Sequence, residues 1–515
     1  MITLRIKSTI ACIAVTVVLA SCTHFEDLNT NPDGFTTATS QMLATKLILD
    51  ITRSDISSQK GFMANFMRDK YILWSEFAQG EQYNRIDRTS FGNFTRLIDV
   101  EKMIGLTDEL DQEVANSYKG LGYFMRAYTF FSATMQVGDI PYSEALKGER
   151  EGNVKPRYDT QKEVFIGILN ELDEANRLFA QGANFEGDVI YQGDPVKWQK
   201  MVNSFALKVL INLYRKTADS DLRVVERFND ILNNRPIFES NADNFQLVYS
   251  DQENQRYPFH KLGNQFVIYP MVSDILIDRL KATNDYRLFY YASPSKVQLD
   301  NGHSSSDFDA YKGTDPAIPY AGLSAIHSSG DYSGVNARYT EIPAGEPISL
   351  LSYAQVQFLL AEAAVRGWIE GDAQTYYAAG IQGAMQFVAD HTPNHPSYHH
   401  NRIMDDAYIE AFPATNAIKL TGAAEHQIEQ IIAQKYVSTY LQSPLNAFFE
   451  NRRTGYPEFP INPASNENIP ADRLPIRWMY PSDEVSYNSE NVNEAINRQY
   501  NGSDNVNERM WLLKD

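Results

Sequence analysis

Two cysteines occur in 515 residues, and both stand near the N-terminus, at Cys12 and Cys22. From Thr23 onward no internal disulfide can form, so stability must rest on a packed core. Positive charge is also short: 46 Lys and Arg face 65 Asp and Glu, a formal net charge of −19. A surface of that sign repels phosphate backbones and anionic headgroups, which argues against nucleic acid as a partner. After Cys22 no apolar run reaches the roughly 20 residues needed to cross a bilayer. Catalytic signatures are missing as well: there is no GxSxG elbow, HExxH, P-loop or CxxC pair. Ser57 and Lys60 have SxxK spacing, but without its partner motifs the match reads as chance. Carboxylates are so numerous that a glycosidase pair cannot be picked out by inspection, and a lipid-anchored glycoside hydrolase stays as an alternative.

What is present begins with a leader. Arg5 and Lys7 form a positive n-region, and Ile10 to Ala20 is an apolar stretch ending in small residues. That is the anatomy of a signal peptide, residues 1–21. Leu19-Ala20-Ser21-Cys22 ends it with a cysteine at the expected cut. Cys22 is read as the lipidation site, multiply acylated, because stable anchoring takes more than one chain at roughly 0.8 kcal/mol per buried methylene. Residues 22–36 follow as a polar tether, with Asn31-Pro32-Asp33-Gly34 as a turn.

Residues 37–515 read as one mainly α domain. Gln41 to Ile56 and Phe62 to Phe77 carry helical spacing, and Gln79 to Phe94 reads as a loop. Val114 to Met135 is a long helix in which Gly120, Gly122 and Ala127 let a neighbour approach. Asp159 or Thr160 caps the next helix, whose stripe is Val164, Ile168, Leu172 and Ala175; Asp194-Pro195 starts another. From about 232 to 347 prolines break the pattern, and only Met271 to Lys281 looks helical. Long irregular stretches inside a domain are often functional. Helices resume at Ser349, and Gln374 to Val388 pairs back on the first of them. Arg402 to Phe412, His426 to Leu441 and Leu445 to Asn451 add more. The tail from 454 to 515 reads as an ordered loop wrapping the body, anchored by Trp511. Helix pairs near 114–176, 195–234 and 351–390 suggest degenerate tetratricopeptide-like units.

Two metal readings arise. His391, His395, His399 and His400 cluster, but Pro393 and Pro396 prevent a regular helix that would align them. Asp307, Asp309, Gly313 and Asp315 suit a calcium loop, except that the glycine falls one position late for an EF-hand.

Several stretches, in order, resemble the SusD/RagB family of outer-membrane lipoproteins. They are Cys22, Asp27 to Pro32, Arg126-Ala127-Tyr128, Gly138 to Leu146, Lys197-Trp198 with Asn203-Ser204, Ser352 to Ala363, Arg452 to Pro457, and Arg473 to Pro481. The resemblance implies four tetratricopeptide-like units against an irregular ligand-binding part. It implies a non-catalytic nutrient-binding protein, most often for glycans, facing the cell exterior. It also implies a SusC-like TonB-dependent transporter as partner, with the lipoprotein as its hinged lid. Glu26 and Asp27 resemble the family's surface-export signal, a little further downstream than usual. A peptide-binding member of the same scaffold is the alternative. Family ligand contacts follow no fixed motif, so site residues are chosen on physics. A sugar needs an exposed aromatic face with planar polar groups nearby. The loop 79–94 offers Tyr83, Asn84, Arg85, Phe91 and Asn93; the irregular part offers Tyr311, Tyr320 and Tyr332.

Overall fold

Helix caps written into the sequence set the frame of the computed structural model, in which residues 38–53 and 59–515 are described. Cys22, the leader, the tether, Ile56 and Ser57 lie outside the described residues. The chain runs through α1 (Ser40–Arg53) and α2 (Gln59–Arg68), then the short strand β1 (Ile72–Trp74). Next come α3 (Arg96–Gly105), α4 (Gln112–Val137), α5 (Gln161–Ala180), α6 (Pro195–Asn212) and α7 (Val224–Asn234). Thr160 caps α5: its hydroxyl accepts from the Glu163 N–H, while the Glu163 carboxylate accepts from the Thr160 N–H at 2.8 Å. Asp194 caps α6 by accepting from the Val196 N–H at 2.9 Å, with Pro195 at the first helical position.

Neighbouring helices pack as pairs. The α4–α5 and α6–α7 pairs match the sequence reading. So does α10 (Tyr353–Val365) with α11 (Ala373–Asp390), once α8 (Asp274–Ala282) and α9 (Tyr320–Ser329) are counted before them. A fourth pair, α1 with α3, was not legible. Ser40 donates to the Met103 carbonyl and Lys46 pairs with Asp99 at 2.9 Å, so the two helices run antiparallel. Between them the chain leaves for more than forty residues, and no sequence-adjacent hairpin exists to read. Gly122 on α4 lets α3 pack closely: a Cβ there would sit 2.7 Å from Ile104 Cδ1.

Two large apolar cores result, with a small third cluster of Leu73, Met271 and Leu323 against which Tyr320 and Tyr332 pack. One lies within α1 and α3 to α7. The other gathers α2, the segment 247–292, α11, α12 (Ala424–Ser438) and α13 (Asn446–Thr454). Helix α10 belongs to both: Val356, Leu359, Leu360 and Ala363 face the first, while Ala354, Phe358 and Ala361 face the second. A helix buried on both sides must be apolar all round, which explains why its sequence has no polar face. Its one acid, Glu362, is buried and held by Arg453 of α13 at 2.5 Å and Arg366 at 2.8 Å.

Three readings need correction. The helix expected over Phe62 to Phe77 stops at Arg68. Lys70 takes a left-handed φ of 60°, and β1 then pairs antiparallel with β3 (Pro270–Val272), Trp74 opposite Pro270. The stretch 232–347 contains more helix than expected, in short pieces such as Arg287–Tyr291 and Ala337–Glu341. It also supplies β2 (Phe245–Leu247), which pairs with β4 (Ile348–Leu351). The C-terminal wrap is not all loop: Ser482–Tyr487 and α14 (Ser489–Tyr500) are helical, and Gln499 of α14 accepts from the Asp139 N–H at 3.0 Å. Trp511 does anchor the end, its ring 6.3 Å from Phe165.

Candidate functional site

The β1–β3 pairing positions an aromatic surface. Beyond Trp74 the chain continues outward as Ser75-Glu76-Phe77, tied to the neighbouring segment because Ser75 donates its N–H and its hydroxyl to the Tyr269 carbonyl at 3.2 and 2.9 Å. Trp74 is fully buried and supports the surface from below, 5.8 Å from Tyr269 and 6.0 Å from Phe266. Its indole N–H donates to Glu76 Oε2 at 3.0 Å. Phe77 stands out, 50 % exposed, with the Lys60 ammonium 3.5 Å over one face of its ring. Lys60 also pairs with Glu76 at 3.3 Å.

Helix α9 closes the other flank. Tyr320 at its start donates to the Glu76 carbonyl at 2.8 Å, fixing the half-buried ring beside Phe77. Tyr332, just after α9, stacks on His327 at 5.1 Å, and His327 Nε2 lies 3.3 Å from the carbonyl of Ile268. Phe77, Tyr269, Tyr320 and Tyr332 thus come from three distant stretches whose backbones these contacts tie together. Trp74 packs under Tyr269 and the Tyr320 hydroxyl ties α9 to the Glu76 carbonyl, so these side chains are positioned before a ligand arrives.

The loop 79–94 divides. Tyr83 is only 4 % exposed; its hydroxyl donates to the Ile318 carbonyl at 3.1 Å, and burial, then Tyr320 and Glu467, pushes it up to about 12. It is a buried brace between this loop and the turn that leads into α9, not a free platform. Asn84 is buried too, at φ 64°, and donates to Asn466 Oδ1 at 3.2 Å. Arg85 is exposed and lies across Gly80, between Asp87 at 3.4 Å and Glu467 at 3.5 Å. Phe91 turns away to stack on Phe94 at 4.9 Å. Asn93 accepts from Arg96 at 3.2 Å and lines an open hollow of about 510 Å³ with Lys46 and Arg53. Tyr311 is 1 % exposed, packed edge-on against Phe289, with its hydroxyl donating to the Ser305 carbonyl at 2.9 Å. Of the eight residues selected from the sequence, Tyr320 and Tyr332 present rings on the aromatic surface, and Tyr83 and Arg85 border it.

Phe77 and Glu76 were missed because a helix read over Phe62 to Phe77 hides them; Tyr269 lies in the irregular stretch 232–347, just before β3, where nothing local sets it apart from the other aromatics. The signal against that helix was the short apolar run Ile72-Leu73-Trp74, which suits a buried strand equally well. Beneath the loop lies Lys70, buried, its ammonium donating to the Gln82 carbonyl; burial, then Arg68, pushes it down to about 7.

Neither candidate metal set converges. Among the described residues no group of three or more His, Cys, Asp or Glu converges as a metal site would require. Asp309 pairs with Lys281 at 3.4 Å, Asp315 accepts from the Ala317 N–H at 2.8 Å, and Asp307 accepts from the Ser304 N–H at 2.8 Å. The histidines are likewise occupied separately: His395 caps the turn at Ser397, His399 contacts Asn394 at 3.0 Å, and His400 faces Asn336 at 3.4 Å.

Paired helices around two large cores, with linked aromatics at the edge of the β1–β3 pair, define a helical-repeat protein. The chain belongs to the SusD-like family, described as starch-binding and associating with the outer membrane, whose model matches residues 32–481. A SusD homologue from Bacteroides fragilis is 45 % identical with a TM-score of 0.89, covering 93 % of this chain and all of that one. A second from the same organism is 34 % identical, TM-score 0.81, with the same coverage. A chitin-binding protein shares the fold at 24 % identity and a TM-score of 0.73, covering 92 % of this chain and 99 % of its own. Among curated proteins none matches the chain. No helix of the described residues is long and apolar enough to cross a membrane.

Proposed function

We propose that this protein captures oligosaccharide at the aromatic surface and performs no chemistry on it. Anchored through Cys22 at the outer membrane, it delivers that cargo to a TonB-dependent transporter. The observation that carries the reading is the exposed Phe77 ring, flanked by half-buried Tyr269, Tyr320 and Tyr332 and by the polar edge of Glu76. Pyranose rings present apolar C–H faces that pack on such rings, while their hydroxyls need nearby acceptors and donors. The family's starch-binding description and the chitin-binding relative support a glycan as cargo.

Titration calorimetry with malto- and chito-oligosaccharides tests this. Phe77→Ala is expected to weaken binding at least about tenfold, the scale of losing roughly 1.4 kcal/mol of stacking. Tyr332→Ala should weaken it less. Unchanged affinity in both variants rejects the surface, and release of shortened products rejects a purely binding role. Cys22→Ala should move the protein out of the membrane fraction. Purification of the wild type from mild detergent should bring a TonB-dependent transporter with it.

A further inference from the structure

Resting on that reading, we propose that the surface selects uncharged oligosaccharides, and that Glu76 sets the selectivity by neutralising Lys60 beside the stacking ring. The ammonium of Lys60 sits 3.5 Å above Phe77 and 5.6 Å from the Trp74 ring. Left alone, a cation there would be the natural partner of a uronate or sulfate stacked on the same ring, because a charge-assisted hydrogen bond next to low-dielectric aromatic walls is strong. It is not left alone. Glu76 holds it at 3.3 Å, and both side chains are only about a quarter exposed, 26 % and 25 %. Glu76 cannot swing away without cost, since it also accepts from the buried Trp74 indole at 3.0 Å.

The rim repeats the pattern. Arg85 lies between Asp87 and Glu467, and Lys312 pairs with Asp331, the residue before Tyr332. These three cations therefore face four carboxylates, on a chain whose net charge is −19. An anionic sugar stacking here would lose hydration and meet no unsatisfied cation among these groups, whereas a neutral sugar has no such charge to desolvate. The ion pair also orients Phe77, because the ammonium sits over one face of a ring that is half exposed.

The experiment is a glycan array followed by calorimetry on matched neutral and uronate-bearing oligosaccharides, for wild type, Glu76→Gln and Lys60→Met, with circular dichroism confirming the fold of each. The wild type is expected to bind neutral members best, with uronate members at least about tenfold weaker. Glu76→Gln frees the ammonium, so the ratio of uronate to neutral affinity should rise about two- to fivefold, the worth of a partly exposed charge pair. That gain should vanish in high salt. Lys60→Met leaves Glu76 unopposed and should shift the ratio the opposite way by a similar factor. A wild type that prefers uronate or sulfated members, with Phe77→Ala abolishing the preference, overturns the selectivity but leaves the binding surface standing. An unchanged ratio in both charge variants overturns the role of Glu76. Glycan binding indifferent to Phe77→Ala, or no glycan binding at all, overturns the surface and the selectivity together.

Discussion

Replacing Glu362 by Gln tests how the helical scaffold is locked to the C-terminal part. Glu362 lies on α10, between the two cores, and Arg453 on α13 reaches it with two N–H donors at 2.5 and 2.7 Å. Arg453 also donates to Glu450 at 2.5 Å, and Lys435 of α12 donates to the same Glu450 at 2.5 Å. All four side chains are buried. Breaking one side of a buried charge pair costs about 3–5 kcal/mol. Gln keeps one acceptor and Arg453 keeps Glu450, so the lower end, about 3 kcal/mol, is expected. With an unfolding entropy of about 2.1 cal/mol/K per residue, a chain of this length has about 1 kcal/mol/K, and Tm should fall by about 3 °C at pH 7. Burial alone would raise the Glu362 carboxyl, but Arg453, with Arg366, outweighs it and holds it below the usual carboxylate range. The same balance, with Arg453 and Lys435, lowers Glu450. A depressed carboxylate contributes stability that is complete above its unfolded value near 4.3 and is lost as pH falls through its folded value. The gap between wild type and Glu362→Gln should therefore narrow below about pH 4. Thermal melts followed by circular dichroism at pH 7 and pH 3.5 measure both. No loss at pH 7, or a gap that stays constant with pH, refutes the reasoning.

Further outcomes are expected elsewhere. Asp188 accepts from the N–H groups of Ile190, Tyr191 and Gly193 and from the Trp198 indole at 2.8 Å, so Asp188→Ala should cost about 3 kcal/mol in urea unfolding. Gly193 takes φ 81° and a Cβ there would fall 1.9 Å from the Phe185 carbonyl oxygen; Gly193→Ala should cost at least about 2 kcal/mol, visible as a lowered Tm. Thr160→Ala removes half of the α5 capping box and should cost about 1 kcal/mol in the same urea assay. Tyr311→Phe removes the donation to Ser305 and should cost about 1 kcal/mol of stability while leaving glycan affinity unchanged; a tenfold loss of affinity would put Tyr311 in the binding surface.

Much of the scaffold was legible because its signals are local. Thr160 with Glu163, Asp194 with Pro195, and the glycines of α4 each act within a few residues or along one helix face. The α1–α3 pair was hidden because its halves are separated by a long excursion that contains α2, β1 and the loop 79–94. Helix α14 was hidden in a segment rich in Asn and Pro, where propensity favours turns, yet Ala495, Ile496 and Tyr500 bury against the first core.

Sequence alone determined that no cysteine follows Cys22, that acids outnumber bases, and that the architecture is mainly α with paired helices. Each follows from composition or from periodicity, which need no knowledge of distant contacts. Only the tertiary structure decided which aromatics face outward. Tyr83, Tyr311 and Tyr320 look alike in the chain, but the segments at Ile318 and Glu467 close over the first, the second core absorbs Tyr311, and Tyr320 is left half-buried with its hydroxyl on the Glu76 carbonyl. Burial depends on what packs across hundreds of residues, and that is information a local pattern does not carry.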